Sequence, residues 1–182
     1  MRCFGDGDPL YESYHDTEWG VPVRGEAPLL ERFCLEAFQS GLSWLTILRK
    51  REAFREAFAG FDPETVARFT DDDVARLLED ARIVRNRAKI TAAIADARAV
   101  LGLWDAGTSL TDLVWSFAPP PRPSRPATWA EVPSTTPESI ALAKALKAAG
   151  FRFIGPTTAY ASMQACGLVD DHLAGCSTPA AR

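Results

Sequence analysis

Long hydrophobic stretches are missing from this sequence. No apolar run approaches the ~20 residues that a membrane span requires. The opening residues Met1-Arg-Cys-Phe-Gly-Asp-Gly-Asp8 show nothing like the apolar centre of a secretion signal. Cysteine is scarce. Cys3, Cys34, Cys166 and Cys176 are too few and too scattered to frame a disulfide scaffold in a chain of this length. These absences lead to the expectation of a reduced, cytoplasmic protein with no membrane partner. No segment sustains period-two alternation and no internal repeat recurs, which points away from sheets and repeat arrays. An excess of positive charge is also lacking. The net charge of −4 argues mildly against a nucleic-acid partner, although a sum hides its distribution.

What is present is an ordinary globular composition, 47% hydrophobic and 24% charged over 182 residues, enough for one unit with a substantial core. Apolar residues recur at helical spacing over 26–39, through Leu29, Leu30, Phe33, Cys34, Ala37 and Phe38, and Gly41 ends the run. A second helix is predicted from Ser43, carrying Trp44, Ile47, Leu48, Phe54 and Phe58. Asp62-Pro63 and Thr70-Asp-Asp-Asp73 are start signals, a capping side chain followed by proline or by acids in the first turn. An Ala-rich stretch from about Val84 to Leu103 predicts a long helix, and a short one follows at Leu110–Phe117. Pro119 to Pro126 is a proline-locked connector. Beyond it, helices are predicted from Thr136-Pro137 to Gly150 and from Pro156 to Cys166. The fold class expected is all-α. Its central region spans about 26–118, with a C-terminal piece, 127–182, that must return to the N-terminus if the ends share a ligand.

That condition comes from the two histidines. His15 follows Cys3, and His172 precedes Cys176 in a His-x₃-Cys spacing. Two thiolates and two imidazoles make a Cys₂His₂ zinc set. With four protein ligands no coordination position is left for water, so the role would be structural, clipping the chain's ends together. The residues alone equally allow two unrelated His/Cys pairs.

Two further stretches carry chemistry. Arg82-Ile-Val-Arg85-Asn-Arg87-Ala-Lys89 holds four cations and no acid, which suits either phosphate contacts or a solvated helix face. In the other, Glu36 lies close to the core-facing stripe of an apolar helical run, with Gly41-Leu42-Ser43-Trp44 just beyond, while Tyr11, Tyr14 and Trp19 crowd around His15. A buried acid is costly unless it is paired or finds a donor. An aromatic box closed by a carboxylate suits a flat, cationic, donor-bearing guest. The bland alternative is a core of aromatics with Glu36 paired to Arg32 one turn earlier.

Tyr14-His-Asp16 with Glu18-Trp-Gly-Val-Pro22, Glu36 to Trp44, Ile83-Val-Arg-Asn-Arg-Ala-Lys-Ile90, Trp115-Ser-Phe117, Gly150-Phe-Arg-Phe-Ile-Gly155, Met163-Gln-Ala165 and Gly167-Leu-Val-Asp-Asp-His172 occur in that order. Together they resemble the Tag-type 3-methyladenine DNA glycosylases of the helix-hairpin-helix superfamily, over essentially the whole chain from Cys3 to Cys176. The resemblance implies an all-α fold and one structural zinc on Cys3, His15, His172 and Cys176. It implies hydrolytic excision of 3-methyladenine from alkylated double-stranded DNA by a monomer. Tyr14, Trp19 and Trp44 would surround the extruded base, and Glu36, the catalytic candidate, would meet its hydrogen-bonding edge. A hairpin near 80–90 would grip the DNA backbone through Arg85, Arg87 and Lys89, and the Gly41-Leu42 turn would fill the gap left by the base. Arg82 stands where such hairpins usually carry glycine. The aspartate that most relatives in the superfamily place after the hairpin has no counterpart that could be assigned; Asp96 sits within a helix pattern. Two other classes fit parts of the pattern. A zinc-stapled, non-catalytic DNA-binding module would not need a buried acid beside aromatics, and a zinc hydrolase would need an open metal position.

Overall fold

The computed structural model describes residues 1–178 and is helical, with no strand among the described residues. The helices are α1 (Pro9–Thr17), α2 (Glu26–Gln39), α3 (Trp44–Ala57), α4 (Pro63–Ala67), α5 (Asp71–Glu79), α6 (Arg87–Asp105), α7 (Leu110–Trp115), α8 (Pro137–Ala149) and α9 (Pro156–Ala165), with 3₁₀ turns at Ala59–Phe61 and Trp129–Glu131. The single unit expected from the sequence extends to residue 182, and residues 179–182 lie outside the described residues. No helix is long and apolar enough to cross a membrane among the described residues.

α2 is the hub, packed against α3, α6, α7 and α9. Leu29, Leu30, Phe33, Cys34, Leu35, Ala37 and Phe38 are all buried, so the helix is covered on nearly every side. Each such leucine or phenylalanine contributes roughly 1.5–3 kcal/mol by leaving water. α4 lies along α6, and α8 along α9. The caps read from the sequence operate as expected. Ser43, Asp62 and Thr136 accept from the backbone N–H groups of Thr46, Thr65 and Ser139, and Thr70 forms a capping box with Asp73. Gly150 closes α8 in the left-handed region.

Two elements differ from the sequence prediction. The long helix begins at Arg87 rather than about Val84, because the Asn86 side chain accepts from the Lys89 N–H and caps it there. The preceding Asp80–Asn86 segment is a turn, with the Ile83 N–H on the Asp80 carbonyl at 3.3 Å. α1 has no counterpart in the sequence reading. Asp8 caps it by accepting from the Leu10 and Tyr11 N–H groups, with Pro9 at the first helical position. Only Tyr14 and His15 of its nine residues are buried, so it carries no apolar period.

The ends of the chain meet. The Ser177 N–H donates to the Met1 carbonyl at 2.9 Å, and the Trp129 indole N–H donates to the Cys3 carbonyl at 3.3 Å. The proline connector thus delivers the C-terminal piece back to residue 3, as the shared-ligand reading requires. Gly167 (φ +71°) makes the return possible, since a Cβ there would stand 2.6 Å from the backbone of Val21 and Pro22.

Candidate functional site

The four residues of the expected metal set converge, their ligand atoms all within 4.8 Å of one another. Cys3 Sγ lies 3.7 Å from His172 Nδ1, and Cys176 Sγ lies 3.6 Å from His172 Nδ1 and 3.4 Å from His15 Nε2. Bonds of about 2.3 Å to sulfur and 2.0–2.1 Å to nitrogen give a tetrahedral S···N edge of about 3.6 Å, so these separations fit a single ion. The far ring nitrogens are fixed by groups that only accept. His15 Nδ1 donates to the Asp16 carboxylate at 2.8 Å, and His172 Nε2 donates to the Trp19 carbonyl at 3.1 Å. Each imidazole therefore turns its lone pair toward the thiols, which is how ligating histidines are oriented. Arg2 in turn holds Asp16, and with His15 keeps its carboxyl down at about 2. The Leu173 N–H donates to Cys3 Sγ at 3.1 Å.

A second cluster adjoins this one. Tyr14 and Trp44 lie with ring centroids 5.3 Å apart, and burial, with Glu36 nearby, pushes up the hydroxyls of both tyrosines of α1, Tyr11 and Tyr14. The Glu36 side chain belongs to a residue only 7% exposed. It makes no hydrogen bond or ion pair among the described residues. Burial pushes its carboxyl up to about 8, with Arg32 drawing it the other way. The pairing with Arg32 that the sequence allows does not form. Arg32 donates instead to Glu18 at 2.7 Å, where Arg51 joins it. Burial opposes ionisation of Glu18, but Arg51 and Arg32 outweigh it and hold the carboxyl down at about 2. The Trp44 indole N–H and one Arg32 amino group are likewise buried with no partner. Unmatched carboxyl and donor groups beside aromatic faces are what a polar, planar ligand would satisfy.

Trp19 sits differently from its companions. Its ring packs on His172 at 4.6 Å and Trp129 at 6.2 Å, and meets Tyr14 only through Phe4, which lies 5.1 Å from Trp19 and 6.4 Å from Tyr14. It belongs to the seam between the metal set and the Glu36 cluster. Phe4, at 4.9 Å from Tyr11, joins the cluster without having been singled out in the sequence. Tyr11, one of the aromatics read around His15, stands three residues before Tyr14, a spacing that a helix places on one face.

The expected DNA-facing residues fall in two places. Gly41 (φ +84°) forms the turn between α2 and α3, a conformation that favours glycine whatever the free space around it. Beside it Leu42 is 43% exposed. Arg85 and Arg87 are exposed at the start of α6, with no ion-pair partner among the described residues. Lys89 departs from expectation. It is 8% exposed, and its ammonium donates to the Phe38 and Ser40 carbonyls at 2.9 and 2.6 Å. It is turned inward and is not a free phosphate contact. Arg82 makes its turn without positive φ and is neutralised by Asp80 and Glu56. Asp96 is structural. It is buried and accepts the Arg152 N–H at 2.7 Å, fixing the link between α8 and α9.

The chain is similar to known proteins over nearly its whole length. A family profile described as methyladenine glycosylase matches residues 4–179. DNA-3-methyladenine glycosylase 1 of Escherichia coli strain K12 is 51% identical over 170 residues, covering 93% of this chain and 91% of the relative. DNA-3-methyladenine glycosylase of Haemophilus influenzae strain Rd is 45% identical over 177 residues, 96% of each chain. A crystal structure of 3-methyladenine DNA glycosylase I superposes with a TM-score of 0.94 at 49% identity, covering 98% of this chain and all of that one. The Staphylococcus aureus enzyme, solved to explain its recognition of 3-methyladenine, gives 0.91 at 37% identity, with 96% and 94% covered.

Proposed function

The chain belongs to the methyladenine glycosylase family, and from that premise we propose how it excises 3-methyladenine from alkylated DNA. The observation that carries the reading is Glu36, a buried carboxyl with no hydrogen bond or ion pair among the described residues, near Tyr14, whose ring packs on Trp44. A glycosidic bond inside the base stack is out of reach, so the nucleotide must first be flipped out. An adenine methylated at N3 is positively charged while joined to its sugar. It is therefore already a good leaving group and is drawn to aromatic faces. The pocket's work is to hold and desolvate the base while water displaces it, leaving an abasic site. Glu36 accepts from the donor edge of the base, Tyr14 and Trp44 enclose the ring, and Trp19 backs them through Phe4. A non-catalytic DNA-binding module would have no use for an unpaired acid there. Free 3-methyladenine released from methylated DNA, resolved by chromatography, is the test. A folded, metal-loaded preparation that released none would overturn the reading.

The Asp80–Asn86 turn is read as the hairpin that grips the backbone of double-stranded DNA, with Arg85 and Arg87 as its phosphate contacts. Replacing both by alanine is expected to weaken binding similarly for all sequences and to lower the salt slope by about two units, one per contact. An unchanged slope would make them a solvated face.

Leu42 is read as the plug that enters the stack when the base leaves. Leu42→Ala should slow excision from duplex more than from single-stranded DNA, which has no gap to fill. Equal slowing on both would argue against a plug. Cys3, His15, His172 and Cys176 would hold one structural zinc, which supplies a cross-link between the chain's ends and takes no part in bond cleavage. The whole chain is read as a single cytoplasmic unit acting as a monomer.

A further inference from the structure

We infer that Lys89 is a positioning residue that fixes the Gly41-Leu42 turn against the helix bearing Arg85 and Arg87, so that backbone grip and base extrusion occur in register; this rests on the glycosylase reading above. The last carbonyls of a helix lack intrahelical donors, and α2 has no basic residue in its final turn to offset the negative end of its dipole. Lys89 supplies what α2 lacks from another helix, with its ammonium on Phe38 O at 2.9 Å and Ser40 O at 2.6 Å. Ser40 immediately precedes Gly41, and the Leu42 N–H closes the turn on the Gln39 carbonyl at 2.6 Å. The far side of the turn is held by the Ser43 cap of α3. Lys89 is itself anchored in the first turn of α6, its N–H on the Asn86 side chain at 3.1 Å, between the two free arginines and the buried Ile90.

A reciprocal tie runs the other way. Lys50, from α3, donates to the Ala81 and Arg82 carbonyls of the Asp80–Asn86 turn at 3.1 and 2.9 Å. The two segments that would meet DNA, distant in sequence, are thus cross-tied by two lysines, each donating to the other's backbone. A cation needed only for charge would stay in solvent, like Arg85 and Arg87. Burying an ammonium on two carbonyls instead sets a distance. Leu42 offers an exposed side chain on the four-residue connection 40–43, and its use as a wedge depends on that turn not yielding when pushed into the stack.

The test compares Lys89→Met, Lys89→Gln and Lys89→Arg with the parent, using methylated duplex and methylated single-stranded DNA. Lys89→Met is expected to lose about tenfold or more in excision from duplex, while single-stranded substrate and binding of free 3-methyladenine change by no more than about two- to threefold. Lys89→Gln, which keeps donors and lacks charge, should recover part of the loss and serves if the methionine variant folds poorly. Hydrogen exchange should quicken at the Leu42 amide and its neighbours and nowhere else. Equal loss on both substrates, or exchange that quickens throughout α2 and α6, would make Lys89 merely structural. A salt slope lower by one unit with unchanged exchange would make it a phosphate contact. Either result overturns the inference. Absence of excision by the parent would instead strike the glycosylase reading.

Discussion

Glu36→Gln is expected to fold, to keep its metal and its DNA affinity, and to lose excision by roughly 30- to 150-fold, the equivalent of about 2–3 kcal/mol. The substitution preserves shape, so the aromatic contacts of Tyr14 and Trp44 survive. It removes the negative charge that a cationic base would meet, and turns one acceptor into a donor facing a donor-bearing edge. Single-turnover release of 3-methyladenine measures the loss, with fluorescence of the neighbouring Trp44 reporting base binding. If the variant released base at the parental rate, the carboxyl would be structural and the pocket would lie elsewhere.

The same residue makes a prediction about pH. Its carboxyl is raised by burial from the ordinary 4.5 to about 8. Between those values the folded state keeps a proton that the unfolded chain has released, so Glu36 makes stability fall as pH rises. Glutamine has no proton to lose. The variant should therefore melt higher than the parent at pH 8, with the gap closing toward pH 4.5. Activity moves the opposite way, because a cationic base pairs with the carboxylate only after the proton leaves. Parental kcat/KM should climb with pH toward about 8, and that limb should vanish in Glu36→Gln. A stability gap that does not vary with pH would show that the carboxyl is not held as the burial implies. An acid kept unpaired at a cost to the fold is the usual mark of a site reserved for a ligand.

Much of this was legible in the residues themselves, and the exceptions share a cause. α2 and the caps at Ser43, Asp62, Thr70 and Thr136 could be read because they depend on neighbours a few residues away. The two ends of the metal set could be matched because the chain has only two histidines. α1 was missed because it buries two residues and is held by its cap and by the Asp8–Arg49 pair at 2.6 Å, neither of which leaves an apolar period. The role of Lys89 could not be read because a basic residue beside Arg85 and Arg87 looks the same in sequence whether it faces solvent or the carbonyls of α2. The Arg32 pairing misled for a similar reason. Glu36 is one helical turn away, but Glu18, brought in by the fold, holds Arg32 together with Arg51. Long-range partners decide the fate of long charged side chains, and local spacing does not reveal them.

Removing one metal ligand should damage the fold more than any core truncation of similar size. Cys176→Ala deletes a single sulfur atom, yet it is expected to cost several kcal/mol, to release the bound ion and to free the segment after His172 from residues 1–3. Outside the ligand cluster, the ends are tied among the described residues by exposed hydrogen bonds, Ser177 to Met1 and Trp129 to the Cys3 carbonyl, and by the Phe4–Trp129 ring contact. Two thiols and two imidazoles brought this close, with both imidazoles turned inward by Asp16 and the Trp19 carbonyl, present a Cys₂His₂ donor set that one zinc ion would fill. Cys34→Ala is the control, since Cys34 is buried in the core away from the cluster. It should cost only the packing of one side chain and remain stabilised by zinc. Treatment with a chelator should lower the melting temperature of the parent and of Cys34→Ala, and change Cys176→Ala little. Protein purified without chelators that contained no zinc, or a Cys176→Ala variant melting with the parent, would defeat the assignment. The closure of the chain would then rest on the Ser177–Met1 and Trp129–Cys3 hydrogen bonds together with the Trp19, Phe4 and Trp129 rings.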